Sequence, residues 1–458
     1  MKNYLLLPCY LILAGSSAIY AQDSPYITLQ QAFEQSEQRY PGITQREAVL
    51  SDFQLRKVET KARALPQLQM QMQNTYGSFE GNNGAFIPVP GVFNVTGNTA
   101  DANGQVNAVS NTFASAVMDW KVFEFGRQRK AVEAAEYQVR GAAEGLEGSK
   151  LALKAKVAGL YFNILYAEAA LDWSEKNLLR MGQILESSKS LAEAGLKPGA
   201  DTSLVASSYA QARAYRSEWL GRYRASLESF REVMDVPAGK LPLEIFYRYK
   251  MQAKTYDSVR LSHPYLQVLE NEVGYQTAQQ SLAGKNALPS LSILGGLSAR
   301  GSGINGRGGF DGSIGAGYGN YANNYLVGIG LTWNLTNIYS SGISRKRIGE
   351  SIRSTQARYN LQRLQMQTTL RAQYESIAAQ YQKLAQQETA VAKAESAYAL
   401  YLSRYEGGLI NLTELLQIQL LLQGAEKERI ESTQKMWALL TSQAELAGDF
   451  NFLTTLTR

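Results

Sequence analysis

The 458-residue chain has one Cys, one His and a formal net charge of +6 from 46 basic and 40 acidic side chains. These counts exclude an internal disulfide framework, a cysteine zinc site and a metal site built from several histidines. The positive excess is small, and the basic residues are interspersed with acidic ones. This pattern does not favour nucleic-acid binding.

The first 21 residues predict an export signal peptide. Lys2 supplies a positive start, residues 5–14 an apolar core, and residues 15–21 a small-residue exit. Cys9 lies inside the apolar run, with no small residues before it, so lipid attachment there is not expected. Cleavage after Ala21 would leave a thiol-free chain. The alternative is a buried N-terminal helix.

After the signal, the chain is a tandem duplication. Pro41 and Pro66 are 25 residues apart, as are Pro264 and Pro289, and each second proline follows Ala-Leu. Two strands, a very long helix, a Gly-Leu turn and another helix follow in each copy. We predict a first repeat over residues 22–234, an irregular equatorial connection outside the helices over 235–262, a second repeat over 263–447 and a C-terminal tail over 448–458.

Four segments alternate between apolar and polar residues, which predicts strands over residues 66–77, 113–125, 289–300 and 324–336. In the first of them Leu68, Met70 and Met72 share one face, and glutamines occupy the other. The polar faces are rich in Gln, Ser, Asn, Thr and Gly, which is typical of a water-filled lumen. A soluble, half-buried sheet gives the same alternation and is the alternative.

The predicted strands are long enough to cross a bilayer, which takes about 9–11 residues with tilt. After the signal, the sequence has no run of about 18 apolar residues that would form a membrane helix. A closed barrel is the remaining way to cross, but four strands fall short of the practical minimum of about eight. Spanning the membrane would therefore require several copies to pool their strands.

Residues 127–194 contain no proline, which predicts a continuous helix of about 100 Å. Apolar residues recur every seven positions in two overlapping series, starting at Val132 and Val157, which indicates neighbours on two sides. Further helices are predicted over residues 28–64, 201–234, 343–406 and 411–447. The helices 28–64 and 201–234 together match the long helix in length, so they could stack beside it as the wall of a helical cylinder. An ordinary rod-like coiled coil would explain the heptads but not the strands that lead into them.

Two segments carry a resemblance to a known family: residues 120–126 (WKVFEFG) at a strand exit, and residues 405–414 (YEGGLINLTE) around the second Gly-Leu turn. With the duplicated order of elements, they resemble the TolC-like outer-membrane efflux proteins over residues 27–447. The resemblance implies a mixed α and β fold with four transmembrane β-strands, one third of a trimeric twelve-stranded barrel. It also implies very long coiled-coil helices that form a periplasmic α-barrel.

The same resemblance implies a function. The chain would be the outer-membrane channel component of a tripartite efflux or type I secretion system in a Gram-negative bacterium. A passive homotrimeric duct would release drugs, small molecules or proteins, which an inner-membrane transporter delivers through a periplasmic adaptor protein. The alternative is a periplasmic coiled-coil adaptor or scaffold protein.

By the resemblance, candidate aperture residues lie near the two Gly-Leu turns. An acidic residue six positions after the first turn's glycine, here Asp201, would hydrogen-bond a tyrosine three positions before the second turn's glycine, here Tyr405. A solvated carboxylate and hydroxyl make a breakable latch, because their net energy is small. The alternative for Asp201 is the N-cap of the following helix.

Three further positions follow from the resemblance. The family's arginine partner position falls on Ile410, so that ionic link is missing. The family's paired acidic rings fall on Glu414 and Gln417, of which one carries charge, and a solvated helical residue is the alternative for Glu414.

The sequence offers no catalytic constellation. Asp119 and Glu124 have no carboxylate partner at acid/base spacing, and the glycines of residues 315–319 open no helix after a buried strand, so nucleotide binding is not expected. His263 corresponds to Tyr40 in the repeat and precedes a proline, which indicates a packing or turn residue. We expect no enzyme, cofactor or metal; an exported hydrolase is the weakest alternative.

Overall fold

The computed structural model describes residues 26–78, 107–234, 241–249 and 259–457, and the predicted signal lies outside them. The first repeat contains α1 Leu29–Arg39, α2 Pro41–Ala62, β1 Gln67–Gly77, β2 Val109–Phe123, α3 Arg127–Glu193 and α4 Gly199–Phe230. The second contains α5 Pro264–Lys285, β3 Ser290–Ser302, β4 Ala322–Thr332, α6 Thr336–Glu406 and α7 Leu412–Ala447. Short 3-10 helices lie at Leu243–Tyr247 and Ile314–Tyr318, and α8 spans Asn451–Leu456. The mixed fold and the duplicated repeat are confirmed.

One predicted helix is divided. Residues 28–64 form α1 and α2 rather than one helix, because Pro41 occupies the first position of α2. Proline lacks an N–H and forces the residue before it into an extended conformation. Tyr40 accordingly has φ −70° and ψ 117°, and the helix ends there. At the other end of α1, Thr28 and Gln31 form a reciprocal capping box.

The sheet is antiparallel in the order β1-β2-β3-β4, so the pairing of β2 with β3 joins the two repeats. Residues directly opposite each other share a face, and faces alternate along each strand. One face is apolar over most of its length; it carries Leu68, Met70, Met72, Ala114, Ala116, Met118, Ile293, Leu297, Tyr325, Val327, Ile329 and Leu331. The opposite face, here called the polar face, carries Gln67, Gln69, Gln71, Gln73, Ser115, Asp119, Lys121, Ser292, Ser298, Arg300, Asn324 and Gly328.

Two tryptophans mark the end of the apolar face nearest the helices. The Trp120 indole donates to the Ala64 carbonyl oxygen at 3.0 Å, and the Trp333 indole donates to the Ala287 carbonyl oxygen at the same distance. Because these contacts are equivalent in the two repeats, they fix each α2–β1 and α5–β3 junction in the same way. Tryptophans at the edge of an apolar band are typical of a membrane–water interface.

The connection between β3 and β4 folds back over the far end of the apolar face. A Cβ on Gly301 would lie 2.2 Å from the Gly317 carbonyl oxygen, and a Cβ on Gly317 would lie 2.3 Å from the Ser110 hydroxyl. The close approach therefore requires glycine on both sides. Residues 79–106, between β1 and β2, lie outside the described residues.

The largest apolar core lies where the connecting segment meets the long helices. The Phe162 and Trp437 rings stack with centroids 4.1 Å apart, and the Trp437 indole donates to the Phe246 carbonyl oxygen at 2.9 Å. Residues 235–262 were predicted to be irregular, but Leu243–Tyr247 within them form a short 3-10 helix whose Ile245 and Phe246 are buried. Their apolar side chains gain more by burial than an irregular surface segment would.

In the described residues, no helix is both long and apolar enough to cross a membrane. Instead, α3 packs along α4, α6 packs along α7, and α3 also packs against α7. The pairs α3–α4 and α6–α7 therefore form two helical hairpins that extend away from the sheet. The hairpins contact each other through α3 and α7.

We predict that Trp437→Ala lowers the free energy of unfolding by about 3–5 kcal/mol, because it leaves a cavity against Phe162. Trp437→Phe retains a ring and loses the indole hydrogen bond, so it should cost about 1–2 kcal/mol. Denaturant unfolding of the detergent-solubilised protein, followed by helical circular dichroism, measures both. Equal stability of Trp437→Ala and the unsubstituted protein would contradict the central role of this ring.

Candidate functional site

Each helical hairpin has the same type of turn between its two helices. Gly195 and Gly408 have φ of 73° and 72°, a left-handed conformation that favours glycine. Leu196 N–H donates to the Leu191 carbonyl at 2.9 Å, and Leu409 N–H donates to the Arg404 carbonyl at 2.9 Å. These six-to-one bonds define Schellman turns, so each Gly-Leu pair closes its helix in an identical way.

The turns leave apolar side chains at the hairpin ends. Leu196 is 69% exposed and Leu409 is 78% exposed. In a Schellman turn this leucine usually packs back on its own helix, and here it does not bury. The two ends therefore present a paired apolar surface.

A lysine joins the two hairpins at their ends. The Lys197 ammonium donates to the Ile410 carbonyl oxygen at 3.0 Å. Lys197 directly follows the first Gly-Leu pair, and Ile410 directly follows the second. The sequence reasoning missed this link, although the two residues occupy equivalent repeat positions; since the acceptor is a backbone atom, side-chain identity gives no signal for it.

The structure does not join Asp201 to Tyr405. Asp201 is half-buried in the first turn of α4, and its N–H donates to the carbonyl of Pro198. Pro198 is the N-cap, so the alternative role of Asp201 as N-cap is wrong. Among the described residues, the fully buried Tyr405 hydroxyl has no hydrogen-bond partner.

Tyr405 instead belongs to a small apolar cluster close to the turns. Its ring is buried with side chains from both hairpins, namely Met181, Ile184, Val205, Leu412 and Leu415. The ring thus holds the hairpins together by burial, and its hydroxyl is a buried polar group without a hydrogen-bond partner in the described part of the chain.

Glu414 lies in the first turn of α7, where its side chain takes part in capping the helix. Its N–H donates to the Asn411 side-chain oxygen at 2.9 Å, and the Asn411 amide donates to the Glu414 carboxylate at 2.6 Å. Asn411 is the N-cap of α7, and the negative charge of Glu414 suits the positive end of the helix dipole. Gln417, one turn further, is exposed.

Farther from the turns, buried polar side chains connect α3 to α7. The Gln419 amide donates to the Asn177 side-chain oxygen at 2.7 Å. The Arg180 guanidinium contacts both carboxylate oxygens of Glu426, with 2.9 Å between Nη1 and Oε1, and the two side chains are 15% and 10% exposed. This polar layer, defined by these four residues, fixes one hairpin against the other.

Some buried polar atoms in and beside the polar layer lack a hydrogen-bond partner within the part of the chain that the structure describes. Among the described residues, Arg180 Nε and the Tyr398 hydroxyl are buried without a hydrogen-bond partner. Burial raises the pKa of Tyr398, an effect that the nearby Arg180 charge partly opposes. The tyrosine therefore stays neutral at physiological pH, and the fixed charges here are those of the Arg180–Glu426 pair.

His263 has a structural position. It is the N-cap of α5, where its Nδ1 accepts from the Tyr265 N–H, and its Nε2 lies 3.0 Å from the Glu445 carbonyl oxygen. Burial lowers the pKa of His263 and favours the neutral ring, in which Nδ1 accepts from the Tyr265 N–H and Nε2–H donates to the Glu445 carbonyl oxygen. Within the described ranges, no group of three His, Cys, Asp or Glu residues is placed to hold a metal ion.

Comparisons with known proteins agree with this geometry. The family model described as outer membrane efflux protein matches residues 32–234 and 255–447, one segment in each repeat. No curated protein matches the sequence.

Solved structures of channels are similar in fold. The outer membrane protein VceC from Vibrio cholerae is 15% identical, with 92% of this chain and 96% of that chain covered and a TM-score of 0.71. The CmeC outer membrane channel from Campylobacter jejuni is 12% identical, with 98% and 94% covered and a TM-score of 0.72. At these identities the likeness establishes the fold alone.

We predict that Arg180→Met lowers the free energy of unfolding by about 3–5 kcal/mol, because it leaves the Glu426 carboxylate buried without its partner. The double variant Arg180→Met, Glu426→Leu should recover most of that loss, since two apolar groups need no partner. Urea unfolding of the detergent-solubilised protein measures the three stabilities.

Arg353→Met is the matched control, because Arg353 and Glu350 form an ion pair with side chains 79% and 71% exposed. Its effect should stay within about 0.5 kcal/mol. An Arg180→Met variant as stable as this control would contradict a stabilising polar layer.

Proposed function

The chain belongs to the outer membrane efflux protein family, and from this premise we propose that three copies form a passive exit duct across the outer membrane of a Gram-negative bacterium. The single observation that carries the proposal is the sheet: four strands with one apolar face, two outer edges and a polar face poor in charge. The duct would continue through the periplasm inside the long helices.

The sheet edges support a cyclic assembly. In the described residues, β1 and β4 each pair with one strand, so each presents a row of backbone N–H and C=O groups. In a bilayer those groups need partners, and pairing β1 of one copy with β4 of the next supplies them. Two copies would give an eight-stranded barrel whose interior side chains fill, whereas three give twelve strands and leave room for water.

The helices support the same assembly. α3 has 67 residues and α6 has 71, so each is about 100 Å long. Large apolar side chains remain exposed along the hairpins of the single chain, among them Leu179, Leu361, Leu364, Leu400, Leu420 and Leu421. Such surfaces are typical of contacts with another chain, and here the proposed neighbour is a second copy.

The hairpin ends form the proposed aperture, with Asp201, Tyr405, Glu414 and Gln417 as its candidate residues. The exposed Leu196 and Leu409 would be the docking surface for a periplasmic adaptor protein, which connects the duct to an inner-membrane transporter. The transporter would select the cargo, whether drugs, other small molecules or proteins, and the duct would belong to a tripartite efflux or type I secretion system.

We predict that the purified protein is a trimer and forms conducting pores. Native mass spectrometry in detergent should give the mass of three chains, and planar lipid bilayers should show discrete conductance steps. A monomer that adds no conductance would contradict the proposed duct.

We also predict that Lys197→Met raises the average conductance of the duct. The substitution removes the link to the Ile410 carbonyl, and this favours the open state. Losing about 1 kcal/mol should shift the closed–open equilibrium about fivefold. Tyr405→Phe should leave conductance unchanged, since its hydroxyl has no partner in the described chain. Lys189→Met, which removes an exposed charge near the end of α3, is the control.

Single-channel recordings of the three variants at one salt concentration test the aperture. A rise for Tyr405→Phe as large as for Lys197→Met would show that the hydroxyl is bonded in the closed trimer. Equal conductance of Lys197→Met and Lys189→Met would remove Lys197 from the aperture.

A further inference from the structure

Basic residues concentrate at one level of the helices, directly beside the sheet. This level comprises residues 57–64, 124–133, 281–288 and 342–350, here called the basic belt. The belt has ten basic and four acidic side chains, so its excess of six equals the formal net charge of the whole chain. The rest of the sequence therefore contains basic and acidic residues in equal number.

Contacts between neighbouring helices place the four segments at one level. They join Gln128 to Thr60 between α3 and α2, Arg127 to Leu288 between α3 and the end of α5, and Arg345 to Gly284 between α6 and α5. In the first two contacts a side chain donates to a backbone carbonyl oxygen, and in the third the arginine side chain passes over a residue that has no Cβ. The helices follow one another as α2, α3, α5 and α6, which matches the strand order β1-β2-β3-β4.

The two tryptophans at the end of the apolar face connect the sheet to the basic belt. The Trp120 indole donates to the Ala64 carbonyl oxygen and the Trp333 indole donates to the Ala287 carbonyl oxygen, and both acceptors belong to the belt. Tryptophans in this position are typical of the membrane–water interface. In the proposed duct, the belt would therefore lie at the periplasmic surface of the outer membrane, at the depth of the phospholipid headgroups.

Ion pairs compensate the acidic residues of the belt but only some of its basic residues. All four acidic side chains are paired, as Glu59–Arg63, Glu124–Arg127, Glu133–Lys130 and Glu350–Arg353, and Lys57 is paired with Glu136. Within the part of the chain that the structure describes, six basic side chains of the belt form no ion pair, namely Lys61, Arg129, Lys285, Arg345, Lys346 and Arg347. Lys285 is half-buried and the others are exposed. The belt thus presents uncompensated positive charge at its surface.

Three of these six residues are consecutive on α6. The Gln276 amide of α5 donates to the Thr355 hydroxyl of α6 at 3.0 Å, and Thr355 lies about 180° around the helix from Lys346. Lys346 therefore points away from α5, and Arg345 and Arg347, about 100° to either side of it, point toward the two opposite surfaces of the row of helices. Whichever surface faces the lipid, one arginine lies on it, and its long side chain can extend toward a headgroup.

Resting on the proposed duct, we infer that the basic belt binds the headgroups of anionic phospholipids in the periplasmic leaflet of the outer membrane. Guanidinium and ammonium groups donate charge-assisted hydrogen bonds to phosphate oxygens, and a negatively charged lipid surface attracts clustered basic residues beside a membrane-spanning segment. The lipids in contact with the duct would therefore be enriched in anionic phospholipid over zwitterionic phospholipid.

The test measures which phospholipids the full trimer retains. Trimers are reconstituted with equal amounts of phosphatidylglycerol and phosphatidylcholine, released into detergent, and the bound lipids are counted by native mass spectrometry. The unsubstituted protein should retain more phosphatidylglycerol. The triple variant Arg345→Gln, Lys346→Gln, Arg347→Gln should lower the ratio of the two lipids about fivefold, the effect of one basic residue at an anionic surface.

The matched control removes the same charge from the same helix. Arg358→Gln, Arg363→Gln, Arg371→Gln replaces three exposed arginines of α6. The first of them lies about 16 Å along the helix from Arg347, beyond the Debye length of about 8 Å at physiological salt. The control should leave the lipid ratio unchanged.

Two further measurements separate charge from folding. Arg345→Lys, Arg347→Lys keeps both charges and should keep the lipid ratio. With the unsubstituted protein, raising the salt from 0.1 M to 1 M during lipid exchange shortens the Debye length from about 10 Å to about 3 Å and should remove most of the preference.

The outcomes separate this proposal from the duct itself. An equal lipid ratio in the belt variant and the unsubstituted protein, or an equal fall in the belt variant and its control, overturns the lipid-binding belt. An unchanged lipid ratio with an altered chloride-to-potassium permeability ratio would place the three charges in the lumen and also overturns it. An unsubstituted protein that retains no phospholipid and forms no pore overturns the duct.

Discussion

The free edges of the four-stranded sheet set the constraint on which the proposed assembly depends. Backbone groups of an edge strand cannot remain unpaired in hydrocarbon, so in the proposed duct a sheet of four strands would have to continue into another copy. β1 and β4, the two edges, come from different repeats, and β2 and β3 join those repeats at the centre. A ring of copies thus uses at every boundary the same antiparallel pairing that the chain uses within itself.

The duplication keeps some local contacts in both halves and changes others. Trp120 and Trp333 donate to equivalent carbonyls, and Gly195 and Gly408 close equivalent turns. Beyond these points the halves diverge: a proline caps α4, whereas Asn411 caps α7 through a side-chain hydrogen bond. The two hairpins therefore share one scaffold but differ in how their second helices begin.

Local chemistry made much of the fold predictable. Alternation in residues such as Leu68, Met70 and Met72 indicated the strands, and the absence of proline indicated α3. The break at Tyr40 follows from Pro41, which helical periodicity over residues 28–64 does not reveal. The contacts between hairpins were not predictable, because Arg180 and Glu426 are 246 positions apart and no local pattern pairs them. The burial of Phe246 likewise depends on Trp437, far along the chain.

The polar layer fixes the register of the long helices, which heptad packing alone does not determine. Long helices with apolar residues every seven positions can slide by one repeat at little cost, since one leucine replaces another. The pairs Asn177–Gln419 and Arg180–Glu426 can form in only one register of α3 against α7. A shift of one helix along the other would leave buried charges without a partner, at a cost of several kcal/mol. Apolar contacts between α3 and α7 thus supply adhesion, while these two pairs select which turn of one helix faces which turn of the other. Because the ends of both hairpins form the proposed aperture, register selected here determines whether Lys197 meets the Ile410 carbonyl.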